Sequence, residues 1–243
     1  MSEHAAAVPI PPEPVAGIGD GLAGILNVFF DPAATAKRVV MRWFWIYPFI
    51  VICAVTIFYS FALQPYTLKA TEIALRDRGM SAEQIQNALA MTQKLSMIGP
   101  IVAPIFILVL VALSAWLVSV AASIIDVRTR FRNLYSLLMV SGMIPLLQLV
   151  ATVIVLRSKS IDDITSAQDL KPPFGLDIFI QGLARPVEAF IGFFSIFEIW
   201  TIVMMALIFA AMTGASKGKS FFATAPAWVL GLIFAMLGSM FQR

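Results

Sequence analysis

The sequence predicts an all-α polytopic membrane protein, a bundle of five transmembrane helices with amphipathic interfacial helices. Three observations carry this. Of the 243 residues, 60% are hydrophobic and only 13% are charged, against about a quarter charged in soluble domains. Mean hydropathy is +0.89. Five separate stretches are apolar over about 20 residues, the length a bilayer core requires.

Residues 1–20 carry Glu3, Glu13 and Asp20, no Lys or Arg, and four prolines. They read as a disordered tail, and a signal sequence, which needs a basic start and an apolar run, is not expected there. Residues 21–43 form an amphipathic juxtamembrane segment. Leu22, Ile25, Leu26, Phe29 and Phe30 fall at helical spacing and suit a segment lying on the bilayer surface. Asp31-Pro32 starts a helix, with Asp as N-cap and Pro at the first helical position. Lys37, Arg38 and Arg42 then lead into Trp43, Trp45 and Tyr47, a basic flank followed by an aromatic belt.

The membrane domain, residues 44–243, contains spans at about 44–63, 98–123, 134–156, 187–213 and 221–240. Between the first two lie two amphipathic helices. One, near 66–78, stops at Gly79; the next starts at Ser81, with Gln84 completing a capping-box pattern. The connection between spans three and four reads as a loop plus a short interfacial helix at about 175–184. The fourth span starts at Pro186 and holds Glu198.

Basic residues are densest in short segments beside the spans: Lys37, Arg38 and Arg42; Arg128, Arg130 and Arg132; Lys217 and Lys219. The positive-inside rule therefore places the N-terminus in the cytoplasm and the C-terminus outside. These side chains suit anionic headgroups, or an acidic cytoplasmic partner. Span five carries Ala223, Ala227, Gly231, Ala235 and Ser239, a small residue at every fourth position. Such a face lets another backbone approach closely, either within the bundle or in a second membrane protein or second copy.

Motifs for chemistry are scarce. "GASKGKS" has Thr213 where a phosphate-binding loop needs glycine, and no strand precedes it. The single cysteine, Cys53, lies in an apolar run, and the single histidine, His4, lies in the tail, so no metal site is expected. No HExxH or GxSxG occurs, and neither catalysis nor a cofactor is expected. A net charge of +3 gives no footprint for nucleic acid.

Glu198 is the exception. With the fourth helix starting near Pro186, it lies about 12 residues, or roughly 18 Å, along the axis, near mid-bilayer. An acid at that depth costs about 2.5–3.5 kcal/mol, offset by several surrounding Leu, Ile and Phe residues. Ser195, Thr201 and Gln148 are its candidate polar partners. A proton relay needs several ionisable groups in series, and no other charged residue lies well inside a span. An interhelical hydrogen bond is the plainer role.

Taken together, "GLAGILNVFFDPAATAKRVVMRWFWIYPFIV", "FRNLYSLLMVSGMIPLLQLV", "FFSIFEIWTIVMMALIFAAMTGASKGKSFFATAPAWVLG" and the loop piece "MSAEQIQNAL" resemble the bacterial members of the YIP (Ypt-interacting-protein) family. The resemblance covers most of residues 21–240 and implies a five-span protein with a cytoplasmic N-terminal region. Family members often read Asp-x-Phe-x-x-Trp in the fourth span. Here that frame is Ser195, Phe197 and Trp200, with the acid one turn later. Eukaryotic relatives work in vesicle trafficking with prenylated small GTPases, and some bacterial relatives are associated with envelope transport machinery. The resemblance thus implies a non-enzymatic partner or organiser of such machinery in the bacterial inner membrane, in contact with lipid and other membrane proteins or its own copies. The alternative is a small permease or proton-coupled carrier using Glu198.

Overall fold

The computed structural model describes residues 14–170, 174–176 and 184–241. Among them, five helical stretches are long and apolar enough to cross a membrane: Ile46–Asp77, Ala82–Ile124, Phe131–Arg157, Ile196–Thr213 and Lys217–Met240. No strand forms among the described residues; the one extended pairing is an isolated parallel bridge between Val15 and Arg42.

That bridge shortens the disordered tail expected through residue 20. The Ala16 N–H donates to the Arg42 carbonyl and the Arg42 N–H to the Pro14 carbonyl, both at 3.0 Å. The Tyr47 hydroxyl adds a bond to the Ala16 carbonyl at 3.1 Å. Residues 14–17 are therefore pinned, and helix α1 (Ile18–Asn27) starts at once, with the Asp20 carboxylate accepting the Gly17 N–H. Helix α2 (Pro32–Val39) begins as its Asp-Pro pair dictates: the Asp31 carboxylate accepts the Ala34 N–H at 2.8 Å, and Pro32 opens the first turn.

The two helices are not one continuous segment. They fold back on each other as a hairpin whose turn is Val28–Asp31, with Val28, Ala36 and Val39 buried. Helix α2 packs along the helix Ile196–Thr213 and against the helix Phe131–Ser141, and α1 packs on the helix that starts at Ile46. The close approach of α1 depends on two glycines. A Cβ at Gly21 would enter the Tyr47 ring, and one at Gly24 the Phe44 ring.

Helix α3 (Ile46–Asp77) and helix α4 (Ala82–Ile124) correct a second expectation. The amphipathic stretches at 66–78 and after Ser81 are continuations of the first two spans, not separate helices. The expected stop at Gly79 occurs, with its φ at +73°, in the left-handed region that glycine adopts without steric cost. The capping box also forms: the Gln84 N–H donates to Ser81 Oγ, and the Ser81 N–H to Gln84 Oε1 at 3.0 Å. Nothing between each span and its polar extension breaks the helix, since Pro65 is carried inside α3 and Pro100 and Pro104 inside α4. At 1.5 Å per residue the helices are about 48 and 65 Å long, well beyond a hydrocarbon core of about 30 Å. Their polar halves pair, with Gln64 Nε2 donating to Ser96 Oγ at 2.8 Å.

The third span is broken at Gly142 into α5 (Phe131–Ser141) and α6 (Met143–Arg157). The fourth is likewise in two parts, α7 (Arg185–Phe193) and α8 (Ile196–Thr213), and α9 (Lys217–Phe241) is the fifth. Of the interfacial helix expected at 175–184, residues 177–183 lie outside the described residues. The main core joins α2, α3, α4, α5, α6 and α8 through Val39, Ile52, Val118, Leu134, Ile144 and Phe209, with Phe44 packed among them. A smaller cluster, built on Leu63, Tyr66, Val153, Leu156 and Ile164, closes the other end.

Candidate functional site

The break before α8 determines what Glu198 is. The Phe194 N–H bonds to the Ile191 carbonyl, and the Ser195 N–H turns back to the Phe193 carbonyl at 2.8 Å. Ser195 is then the N-cap of α8, and its hydroxyl accepts the Glu198 N–H at 3.1 Å. Glu198 therefore occupies the third position of a new helix. It does not lie 12 residues along an old one.

The expected polar cluster is half assembled. The Ser195 hydroxyl, buried, donates to Gln148 Oε1 at 2.9 Å and so ties α8 to α6. Thr201 is buried but donates to the Phe197 carbonyl of its own helix at 2.8 Å. Glu198 joins the cluster through its N–H. Among the described residues no hydrogen bond reaches its half-buried carboxylate. In a full capping box that carboxylate would accept the N-cap N–H. Here the Phe193 carbonyl has taken that N–H, and the acid is left free to point elsewhere. The helix break was readable in principle, because Ser195-x-x-Glu198 ahead of an apolar run is a capping signature. The surrounding apolar residues masked it.

Aromatic contacts enclose this end of α8. Phe197 meets Phe174 edge-on, with ring centroids 5.5 Å apart, and the Ile196 N–H donates to the Phe174 carbonyl. Trp200 meets Phe29 at 5.9 Å and Phe30 at 6.4 Å, at the tip of the α1–α2 hairpin.

The small-residue positions of α9 lie on its packed side. Ala223 is fully buried, while Ala227, Gly231, Ala235 and Ser239 are half-buried. Helix α9 packs on α4, α8 and α7, and Gly231 lies against the Phe193 ring.

The three basic segments meet at one end of the bundle. Arg132 donates to the Val40 carbonyl at 3.2 Å, and Lys219 Nζ to the Ile125 carbonyl at 3.4 Å. Arg38 donates to the Ala34 carbonyl, and the Arg42 guanidinium lies 5.3 Å from the centre of the Trp43 ring. Lys37, Lys217, Arg128 and Arg130 are exposed. A groove of about 470 Å³ opens here, lined by Val40, Arg128, Thr129, Arg130, Asn133 and Thr213 among others. Among the described residues no group of three or more His, Cys, Asp or Glu side chains could hold a metal.

A family model described as the Yip1 domain matches residues 26–238. No curated protein and no solved structure matches the chain.

Proposed function

The chain belongs to the Yip1 domain family, and from that membership we propose that it is a non-enzymatic, membrane-embedded partner or organiser of transport or trafficking machinery. The observation that carries the reading is the extent of the match, which runs from the end of α1 into the last turn of α9 and so takes in nearly all of the five membrane-crossing stretches. The neutral surroundings of Glu198 support it. A carrier would need ionisable groups in series through the membrane, whereas Glu198 shares its site with a neutral serine and glutamine. The basic end of the bundle faces the cytoplasm of a bacterial inner membrane under the positive-inside rule, which puts the C-terminus outside.

Two measurements on the full chain separate this reading from its rival. Photo-crosslinkers on lipid-facing positions, for example Ile57 of α3 and Val203 of α8, should give discrete adducts with neighbouring membrane proteins or with a second copy. Purified protein in sealed vesicles loaded with a pH-sensitive dye should pass no protons. A proton flux abolished by Glu198→Gln would overturn the organiser reading in favour of the proton-coupled carrier.

A further inference from the structure

We infer that the α1–α2 hairpin is a half-membrane insertion whose α1 face contacts the acyl chains of a single leaflet. The first observation is an unpartnered stripe. Ile18, Leu22, Leu26 and Phe30 recur at every fourth position and are 72%, 59%, 64% and 82% exposed. Their opposite face, Gly21 and Gly24, is packed on Tyr47 and Phe44. An apolar stripe this long on a docked helix has lipid as its solvent if it lies in the bilayer, and its position along α8 puts it there.

Two landmarks set that position. At the hairpin's base, the Val40 carbonyl accepts Arg132 beside the start of α5, and Val40 lines the same groove as Thr213, the last residue of α8. At its tip, the Phe29 ring meets Trp200 edge-on and the Phe30 ring meets it at a tilt, about 13 residues or 20 Å further along α8 from its last residue. The hairpin thus runs beside a membrane-crossing helix from its basic end inward. Helices α1 and α2, with 10 and 8 residues, are about 15 and 12 Å long. That is half of a hydrocarbon core of about 30 Å. The stripe also continues the lipid-facing surface of the spans, where Ile50, Ile57 and Phe58 of α3 and Ile199 and Val203 of α8 are exposed. Charge agrees with depth. Lys37, Arg38 and Arg42 cluster toward the base, where anionic headgroups lie. The charged group at the tip, Asp31, is engaged by the Ala34 N–H at the positive end of α2.

The test uses the full chain with Cys53→Ala, reconstituted in phosphatidylcholine–phosphatidylglycerol vesicles. Ile18→Cys, Leu22→Cys, Leu26→Cys and Phe30→Cys each carry a nitroxide, and Lys37→Cys is the reference near the base. Relative accessibility to oxygen and to a water-soluble nickel chelate reports depth. Position 26 should lie about 12 Å deeper than position 18, the rise over eight helical residues, with 22 between and 30 at least as deep as 26. Equal, shallow depths would mean a helix lying flat on the surface and would overturn the inference. So would free access of the nickel chelate to all four sites. Hydrogen exchange of the unsubstituted chain in the same vesicles checks that the hairpin is folded there. The Phe29 and Phe30 amides should be protected, and exchange at the rate of an unfolded peptide would overturn the inference equally.

Discussion

The Ser195 hydroxyl donates to Gln148 Oε1 at 2.9 Å while accepting the Glu198 N–H at 3.1 Å. One buried hydroxyl thus caps α8 and fastens it to α6. Ser195→Ala removes both roles, and loss of a cap together with a buried hydrogen bond costs about 1–2 kcal/mol. Thermal unfolding in detergent should show Ser195→Ala clearly destabilised and Ser195→Thr close to the parent. Ser195→Ala combined with Gln148→Ala should lose less than the sum of the two single changes, because both disrupt the same bond.

Gly21 and Gly24 should be far less tolerant than Gly19. A methyl group at the first two would meet the Tyr47 and Phe44 rings, whereas one at Gly19 has nothing within 4 Å. Gly21→Ala and Gly24→Ala should loosen the hairpin and speed protease cleavage N-terminal to α3. Gly19→Ala should leave cleavage unchanged or slow it, since alanine is the better helix former by about 1 kcal/mol.

Gly79 and Gly214 have φ of +73° and +72° with open space around them, so substitution there tests backbone strain alone. Gly214→Ala should cost about 1–2 kcal/mol, the penalty of left-handed geometry for an L side chain. Gly214→Asn should cost less, because asparagine tolerates that region better. Unfolding midpoints of the two variants check the order.

Asp169 carries a pH dependence. Its carboxylate accepts the Thr165 and Ser166 N–H groups, both at 2.8 Å, and both hydroxyls. These bonds, the Thr165 N–H foremost, hold its pKa below the usual carboxylate value. A group depressed on folding contributes its stability above its unfolded pKa of about 3.9 and loses it as pH falls through the lower folded value. Hydrogen exchange at the Thr165 and Ser166 amides should therefore stay slow at neutral pH and lose protection only below about pH 4. Asp169→Ala should abolish that protection at every pH.

Much of this fold was legible in the sequence for identifiable reasons. Asp31-Pro32, Gly79 and Ser81-x-x-Gln84 act within four residues of themselves, so their caps and stop appear where the sequence puts them. Apolar length located the membrane-crossing stretches, because the bilayer imposes it on each helix separately. The hairpin was not legible as such. Its amphipathic pattern is the same whether the apolar face meets a bilayer surface or a bundle, and only tertiary contact with α8 and α3 decides. The extended lengths of α3 and α4 were missed because hydropathy marks where lipid ends, not where a helix ends. At Glu198 the polar neighbours Ser195 and Gln148 were found, but the break was not. A capping signature inside a run of phenylalanine and isoleucine is outweighed by the expectation of one continuous span.

The 43 residues of α4 have a mechanical consequence. The helix begins at the Gly79 turn, on the side away from the basic segments, and ends beside the loop that carries Arg128 and Arg130. Force applied at that turn acts on a lever about 65 Å long that crosses the bilayer without a flexible joint. Pro100 and Pro104 are the places along it where bending is easiest. A tilt of α4 about those prolines would be shared with α9, which is packed along the same helix.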